Sequence, residues 1–281
     1  MSPRALLLAL AALHATASLA RPQEIASRMV VASVTDTDRR PLVDIDLDDF
    51  VVREAGQLRD ILSIRLADYP IAIVLDNSRD AERDFEAIRR ATGRFIDRVG
   101  HRPIAIALAN PPRMIATFED DRATVIARVD KLRKSSPGNG LLQAVVTAAR
   151  AVHETGAFFS AVVVVVADAG VTVPAEFMTP ILESGANVHV VRQQKTPGRP
   201  NETRRQSIAA LMAMVDETRG ELMTIDSPDS YRTVLDRLAN QLATELMVEY
   251  IVPAGSSRGS DVRVGVRVPG AKISNWGVSR R

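Results

Sequence analysis

The sequence has no cysteine among its 281 residues. Disulfide bonds, thiolate zinc sites, iron–sulfur clusters and cysteine nucleophiles are therefore excluded. The four histidines, at positions 14, 101, 153 and 189, lack the spacing of a metal-binding motif such as His-Glu-x-x-His. The sequence also has no large excess of positive or negative charge. The 36 Lys and Arg residues against 34 Asp and Glu residues give a net charge of +2, which does not indicate a nucleic-acid binder.

Beyond the first twenty residues, no apolar run is long enough to span a membrane, since a spanning helix needs about 20 apolar residues. Residues 1–20 have the pattern of a signal peptide: Arg4, then the apolar Ala5–Leu13, then the small residues of His14–Ala20. An amino-terminal helix of the fold is the alternative. We expect cleavage and a soluble protein that is secreted or periplasmic. Without a cysteine after the apolar segment, a lipid anchor is excluded.

The composition that remains, 46% hydrophobic and 25% charged, is typical of a globular protein. After the signal peptide, residues 25–67 and 245–281 alternate apolar and polar side chains at period two, as half-buried strands do. Turn residues such as Glu54-Ala55-Gly56 separate these strands. Because neither end alone makes a stable sheet, the two ends are predicted to pair into one small β-sandwich.

The middle of the chain, residues 68–244, alternates strand and helix patterns. Ile71–Leu75 is a continuous apolar run, which a parallel strand buried on both faces requires. Val162–Val166 is a run of five β-branched residues of the same kind. Ile104–Leu108 and Met114–Phe118 are close enough to form a hairpin. The order β-α-β-β-α-α-β-α-β-α-β-α predicts an α/β fold with a doubly wound, mostly parallel sheet and one antiparallel edge strand.

Two aspartates follow wholly apolar strands, Asp76 after Ile71–Leu75 and Asp168 after the Val162–Val166 strand. Ligands of open α/β sheets bind beyond the carboxyl ends of the strands, so we expect both side chains at one edge. Burying a carboxylate is costly unless it meets a cation or hydrogen-bond donors. Two such residues on neighbouring strands indicate a hard-cation site with oxygen ligands.

The segment Val74-Leu75-Asp76-x-Ser78 resembles the first motif of a von Willebrand factor A domain. The metal-ion-dependent adhesion site of that family has the pattern Asp-x-Ser-x-Ser, a later Thr and a later Asp. Two flanking stretches resemble the secreted, Acidobacterial-type family of VWFA-related bacterial proteins. They are VVASVTDTDRRPLVDIDLDDFVVREAGQLRDILSI and a tail that runs through TIDSPDSY and ELMVEYIVP to DVRVGVRVPGAKI. The resemblance covers almost the whole mature chain and implies a Rossmann-like fold.

The same resemblance implies a degenerate adhesion site. Asp76, Ser78 and Asp168 match family positions, whereas Asp80 stands at the second serine and Gly140 at the threonine. Two of three hydroxyl ligands are missing and a carboxylate is added, which weakens acceptance of a partner's carboxylate by the ion. The candidate metal ligands are therefore Asp76, Ser78, Asp80 and Asp168, for Ca²⁺ or Mg²⁺ if a cation binds. In the alternative interpretation, the aspartates cap helices and accept loop amides without metal.

Two loops are weaker candidates. Gly138-Asn139-Gly140 precedes a helix whose free amides could hold an anion, but it lacks the Lys and Ser/Thr of a phosphate loop, so a tight turn is the prediction. The segment Arg192–Arg205 has five cations, one acid and two prolines. It is predicted to be a solvated connection, with a basic rim that attracts an acidic protein or polyanion as the alternative.

No Gly-x-Ser-x-Gly elbow surrounds Ser78, and neither His101 nor His153 has an evident catalytic partner. We therefore expect a protein that is not an enzyme, that has no cofactor or at most a divalent cation, and that does not bind nucleic acid. Its expected function is protein binding of the adhesion or scaffold type, through loops above the sheet. A metal-dependent hydrolase using Asp76, Asp80 and Asp168 and a purely structural envelope protein are the alternatives.

Overall fold

A computed structural model of the chain describes residues 25–38, 40–78, 81–133, 138, 140–167, 174–194, 202–256 and 262–278. The predicted signal peptide lies outside these residues. The strands are β1 (Ile25–Thr35), β2 (Phe50–Glu54), β3 (Gln57–Arg59), β4 (Ile61–Leu66), β5 (Ile71–Leu75), β6 (Ile104–Ala109), β7 (Pro112–Ala116), β8 (Ala161–Val166), β9 (Asn187–Gln193), β10 (Leu222–Ile225), β11 (Leu246–Pro253), β12 (Val262–Val266) and β13 (Lys272–Val278). The α-helices are α1 (Phe85–Arg98), α2 (Arg122–Asp130), α3 (Leu141–Glu154), α4 (Ala175–Ser184), α5 (Glu202–Glu217) and α6 (Ser230–Ala243).

The central sheet has the strand order β10-β9-β8-β5-β6-β7. All neighbouring strands in it are parallel except β6 and β7, which form the predicted antiparallel hairpin at one edge. The sequence of strands and helices from β5 to α6 is the predicted one. The α/β fold with a doubly wound, mostly parallel sheet is therefore confirmed, and β5 lies at its centre.

Helices cover both faces of this sheet, which explains why β5 is apolar at every position. Ile71, Ile73 and Leu75 contact one core, shared with α1, α2 and α6. Ala72 and Val74 face a second core, shared with α3, α4 and α5. Among the described residues, none of the helices is both long and apolar enough to cross a bilayer.

The two chain ends form the predicted β-sandwich. One sheet has the order β13-β1-β11-β4 and the other the order β12-β2-β3, so residues from both ends contribute to each. Their shared core includes Phe50, Val52, Val248 and Tyr250. The β2–β3 hairpin turns at Ala55 and Gly56, whose φ values of 50° and 77° lie in the left-handed region. Strand β3 was missed by the sequence pattern.

The sheet of β1 and β11 has two buried faces. Val30 and Val248 are directly paired and point into the sandwich core. The adjacent pair, Val31 and Met247, points the other way and joins the core of the α/β layer together with Tyr69. Because strand side chains alternate between faces, this one sheet packs against the sandwich and against the α/β layer at once.

Candidate functional site

Asp76 lies directly after β5 at the carboxyl edge of the parallel sheet, and it is only 4% exposed. Its Oδ1 accepts a hydrogen bond from the Ser78 amide at 2.9 Å, and its Oδ2 accepts one from the Ala167 amide at 3.2 Å. Its own amide donates to the carbonyl oxygen of Val165 on β8 at 2.9 Å. Each carboxylate oxygen thus has a backbone donor, which offsets the cost of burying the charge without a cation.

The structure describes two of the four candidate metal ligands, Asp76 and Ser78. Asp80 and Asp168 lie outside the described residues, so the complete set stays a prediction. Ala167, the residue before Asp168, contacts Asp76 through its amide. In the described part of the chain, no group of three or more His, Asp or Glu side chains is placed to hold a metal ion.

A pair of buried asparagines lies beside Asp76. Asn77 and Asn110 follow β5 and β6 and are 3% and 4% exposed. The Asn77 side-chain amide donates to the Asn110 carbonyl oxygen at 2.6 Å. The Asn110 backbone amide donates back to Asn77 Oδ1 at 2.7 Å. Asn110 is joined to Pro111 by a cis peptide bond. The two reciprocal bonds tie together the carboxyl ends of the two central strands.

The Asn110 side chain extends this pair to the start of α3. Its Oδ1 accepts a hydrogen bond from the Gly140 amide at 3.0 Å. A Cβ atom at Gly140 would lie 2.2 Å from the carbonyl oxygen of Ala109 and 2.3 Å from Pro112 Cγ. Contacts this short require the backbone to move, so only glycine fits at this position. We call Asn77, Asn110 and Gly140 the asparagine network.

The packing around Gly140 bears on the degenerate adhesion site that the resemblance implies. At Gly140, which the resemblance aligns with the family's threonine, there is no space for a side chain that carries a hydroxyl. The same packing disfavours an anion site at Gly138-Asn139-Gly140, because the Gly140 amide already donates to Asn110. Asn139 itself lies outside the described residues. Chemically, the network joins the loop after β5, the loop after β6 and the loop before α3 through hydrogen bonds between uncharged groups.

Sequence reasoning missed Asn77 and Asn110, although a signal for them exists. Asn110 directly follows an apolar strand, and Asn77 lies one position further from its strand, after Asp76, so both are near the position that identified Asp76. Their neighbours differ: Asn110 precedes two prolines, whereas Asn77 lies inside the segment that resembles the family motif. These two residues were not predicted because the candidates were chosen as ligands for a cation, and carboxylates were preferred to neutral amides.

The connection between β9 and α5 is shorter than the loop that was predicted over Arg192–Arg205. Arg192 belongs to β9, is 3% exposed, and donates through Nε to Thr224 Oγ1 at 3.3 Å. Helix α5 begins at Glu202. The prediction of one continuous loop over fourteen residues was therefore wrong at both ends, since strand and helix extend into it. Residues 195–201 lie outside the described residues.

A second buried cluster lies at the opposite end of the sheet, where the α/β layer meets the sandwich. Arg102 and Glu245 are 6% and 2% exposed and form an ion pair at 3.3 Å. Tyr69 donates its hydroxyl to Glu245 Oε2 at 2.5 Å, and the Arg102 guanidinium lies 4.1 Å from the Tyr69 ring centroid. Arg102 also donates to the carbonyl oxygen of Leu242 at the end of α6.

Burial dominates the electrostatics of this cluster. It raises the pKa of Glu245 to about 7, against the opposing effect of the Arg102 charge. It also raises the pKa of Tyr69 well above the ordinary range for a phenol, with the Glu245 charge acting in the same direction. His189 on β9 is buried as well, and burial lowers its pKa to about 4. His189 is therefore a neutral core residue at physiological pH.

Known proteins of similar structure identify the type of fold. No family model and no curated protein sequence matches the chain. The proximal thread matrix protein 1 of the mussel byssus is similar in structure, with a TM-score of 0.51 and 12% identity over 68% of this chain and 50% of that chain. A von Willebrand factor type A protein from Catenulispora acidiphila has a TM-score of 0.48 and 11% identity over 91% of this chain and 74% of that chain.

A third similar structure is the pilus adhesin SpaC from Lactobacillus rhamnosus GG, with a TM-score of 0.45 and 9% identity over 82% of this chain and 47% of that chain. The chain thus spans about half the length of the mussel protein and of the adhesin. At identities this low, the similarity establishes the fold alone. The chain has a von Willebrand factor A-like α/β fold with additional antiparallel sheets from its two ends.

Proposed function

We propose that this chain is an exported, non-enzymatic protein of the secreted, VWFA-related bacterial family. A von Willebrand factor A-like domain over residues 68–244 is inserted into a sandwich made from residues 25–67 and 245–281. Its function is protein binding of the adhesion or scaffold type, through the loops at the carboxyl edge of the central sheet. The observation that carries this proposal is the asparagine network, which joins these loops without a cation.

The network replaces what an ion would do for the loops. A metal ion in such a site holds the loops after neighbouring strands in fixed positions and accepts a carboxylate from the partner. In this chain Asn77 and Asn110 hold the loops through neutral hydrogen bonds, and the Gly140 packing leaves no place for the threonine ligand. Recognition of the partner protein then depends on the shape and the surface charge of the loops at the carboxyl edge of the central sheet.

Positive charge is present at this edge in addition to the network. Arg83 precedes α1 and Arg113 lies near the start of the antiparallel strand β7, and both are exposed. Arginine forms paired hydrogen bonds with carboxylates, so an acidic surface on the partner is complementary. An acidic partner is also the alternative that the basic segment Arg192–Arg205 suggested.

The metal-free interpretation predicts no binding signal in calorimetry. Titration of the mature protein with Mg²⁺, Ca²⁺ or Mn²⁺ is expected to give no binding with a dissociation constant below about 1 mM, because the threonine position at Gly140 lacks both a hydroxyl and space for one. Asp76→Asn serves as the matched variant and is expected to behave identically. Micromolar binding by the unmodified protein that disappears in Asp76→Asn would contradict the proposal and favour a cation at Asp76, Ser78, Asp80 and Asp168. Metal-dependent hydrolysis that disappears with it would favour the hydrolase.

Partner binding is tested separately. Immobilised protein is expected to capture the same envelope proteins in Mg²⁺ and in EDTA, since no ion completes the contact. Reversing both arginines, with Arg83→Glu and Arg113→Glu together, is expected to weaken this capture about tenfold through loss of charge complementarity. Arg53→Glu together with Arg65→Glu, at exposed arginines on β2 and β4, makes the same change in net charge away from this edge and is the control. Equal capture by all variants would favour a purely structural envelope protein.

A further inference from the structure

A groove with a volume of about 920 Å³ lies between the end of β1 and the helix α6. Its first wall consists of Ser33, Val34 and Thr35, with Pro41 beside them. Gly220 and Glu221 close one side directly before β10, which places the groove toward the amino edge of the central sheet. It is therefore a separate surface from the carboxyl edge at Asp76. We call it the β1–α6 groove.

The second wall is one complete face of α6. The residues that line it recur at spacings of three and four, so they form one stripe: Arg232, Thr233, Asp236, Arg237, Asn240 and Gln241. Leu235, Leu238 and Leu242 are on the opposite face and are buried in the core. Thr244, directly after α6, lines the groove as well, so at a rise of 1.5 Å per residue the lining from Arg232 to Thr244 is about 18 Å long. An extended polypeptide of five or six residues has this length, at about 3.3 Å per residue.

Arginines outnumber carboxylates along the groove, and the carboxylates already have partners. Asp236 forms ion pairs with Arg94 at 2.8 Å and with Arg98 at 3.8 Å, both from α1. Glu221 pairs with Arg237 at 3.2 Å. Arg232 is exposed and has no ion pair with another described residue. The local charge therefore favours a negatively charged occupant.

A hydroxyl group on the β1 wall points to an occupant with hydrogen-bonding groups. Ser33 Oγ is shielded from water and has no hydrogen-bond partner among the described residues. Leaving such an atom unpaired costs free energy, which a ligand that supplies the missing bond recovers. Ser33 is half-buried and lines the groove opposite the arginine-bearing stripe, so a change of its χ1 rotamer turns the hydroxyl toward an occupant.

We propose that the β1–α6 groove binds an extended, acidic polypeptide segment of a partner protein, five or six residues long. An acidic side chain of the segment pairs with Arg232, the groove arginine that has no ion pair with another described residue. The backbone of the segment hydrogen-bonds to Ser33 and to the side-chain amides of Asn240 and Gln241 along the rest of the groove. A small anion would use the arginine alone, whereas the row of amides and hydroxyls beyond it matches the repeating polar groups of a peptide backbone.

The test uses the whole mature protein and a fluorescein-labelled peptide, Glu-Ser-Glu-Ser-Glu-Ser, with binding followed by fluorescence anisotropy at an ionic strength of about 0.15 M, where the Debye length is about 8 Å. Arg232→Glu is expected to raise the dissociation constant at least about fivefold, as reversal of a contacting charge does. The control is Arg90→Glu on α1, which makes the same change in net charge at a side chain that is 76% exposed and outside the groove. It is expected to change the dissociation constant by less than about twofold, because exposed charges at a distance are screened.

Ser33→Ala adds a readout that does not involve charge. It is expected to weaken peptide binding about threefold while the free energy of unfolding stays the same or increases, since an unpaired buried hydroxyl is removed. A Gln-Ser-Gln-Ser-Gln-Ser peptide is expected to bind weakly. Equal weakening by Arg232→Glu and Arg90→Glu, an unchanged affinity in Ser33→Ala, or equal binding of the two peptides would each overturn the proposal. None of these results depends on the proposed binding surface at the carboxyl edge, because Arg83 and Arg113 are left intact.

Discussion

Replacing Gly140 by threonine is expected to lower the free energy of unfolding by at least about 3 kcal/mol, as forced overpacking and loss of a buried hydrogen bond do together. The new Cβ atom would lie 2.2 Å from the Ala109 carbonyl oxygen, and two atoms of Pro112 are within 2.8 Å of it. The loop has to move, which breaks the bond from the Gly140 amide to Asn110. Urea denaturation followed by circular dichroism measures the loss.

The same substitution introduces the threonine that the resemblance leads one to expect at this position, so it tests the proposed degenerate adhesion site. If only a side chain were missing, Gly140→Thr would regain Mg²⁺ binding in calorimetry. We expect no regain, because the space is occupied by backbone and by Pro112. If the threonine variant does not fold, Gly140→Ala measures the packing cost alone, since its Cβ meets the same atoms and it has no hydroxyl to bind Mg²⁺.

Gly93 in α1 provides the matched control for Gly140→Thr and Gly140→Ala. A Cβ atom at Gly93 would meet nothing within 4 Å. Gly93→Ala is therefore expected to stabilise the protein by about 0.5–1 kcal/mol, the usual gain of alanine over glycine in a helix. A cost below about 1 kcal/mol for Gly140→Thr, with Gly93→Ala behaving as expected, would contradict the close packing around Gly140.

Removing the Arg102 guanidinium is the second substitution with a large expected effect. Arg102→Met is expected to cost about 3–5 kcal/mol at pH 7.5, because Glu245 is then left as a buried carboxylate without its charged partner. The contact over the Tyr69 ring and the bond to the Leu242 carbonyl oxygen at the end of α6 are lost as well. Urea denaturation at fixed pH gives the free energies of unfolding of both proteins.

The pH dependence of this cost identifies its cause. Arg102 lowers the pKa of Glu245 against the effect of burial, so its loss raises that pKa above the present value of about 7. A folded-state pKa above the unfolded one means that the folded protein binds the proton more tightly, so stability is greater at low pH and falls as pH rises through it. The cost of Arg102→Met is thus expected to shrink between pH 7.5 and pH 5. The low pKa of His189 affects both proteins equally and cancels.

A second substitution serves as the control for Arg102→Met. Adding Glu245→Gln removes the uncompensated charge and keeps an acceptor for the Tyr69 hydroxyl. The double variant is expected to recover part of the loss at pH 7.5. Measured against Glu245→Gln alone, the cost of Arg102→Met is expected to be the same at the two pH values, because the titrating carboxyl is absent from both proteins. A pH-independent cost of Arg102→Met that Glu245→Gln does not reduce would attribute the effect to packing alone.

Much of the architecture was predictable because local patterns determine it. Five consecutive apolar residues at Ile71–Leu75 require burial on both faces, and the structure places helices on both. The short spacing between β6 and β7 allows little besides a hairpin. Strand β3 has only three residues, and two of them are exposed, so no hydrophobic alternation identified it.

The site was less predictable because its contacts are distant in sequence. Asn77 and Asn110 are separated by 33 positions, and each is unremarkable in its local segment. Arg102 and Glu245 are separated by 143 positions and lie in loops between regular elements. Spacing rules detect ligands on one helix or one strand, whereas these partners meet only once the whole sheet has formed.

The position of β1 has a consequence for the order of folding. Its pairing residues reach from Ile25 to Ala32, and their partners on β11 run from Pro253 back to Leu246. Its other neighbour, β13, is later still. Contacts between such distant segments form slowly, because a long loop must close before any of them is made. The sandwich therefore cannot assemble until β11 and β13 have been synthesised, more than two hundred positions after β1.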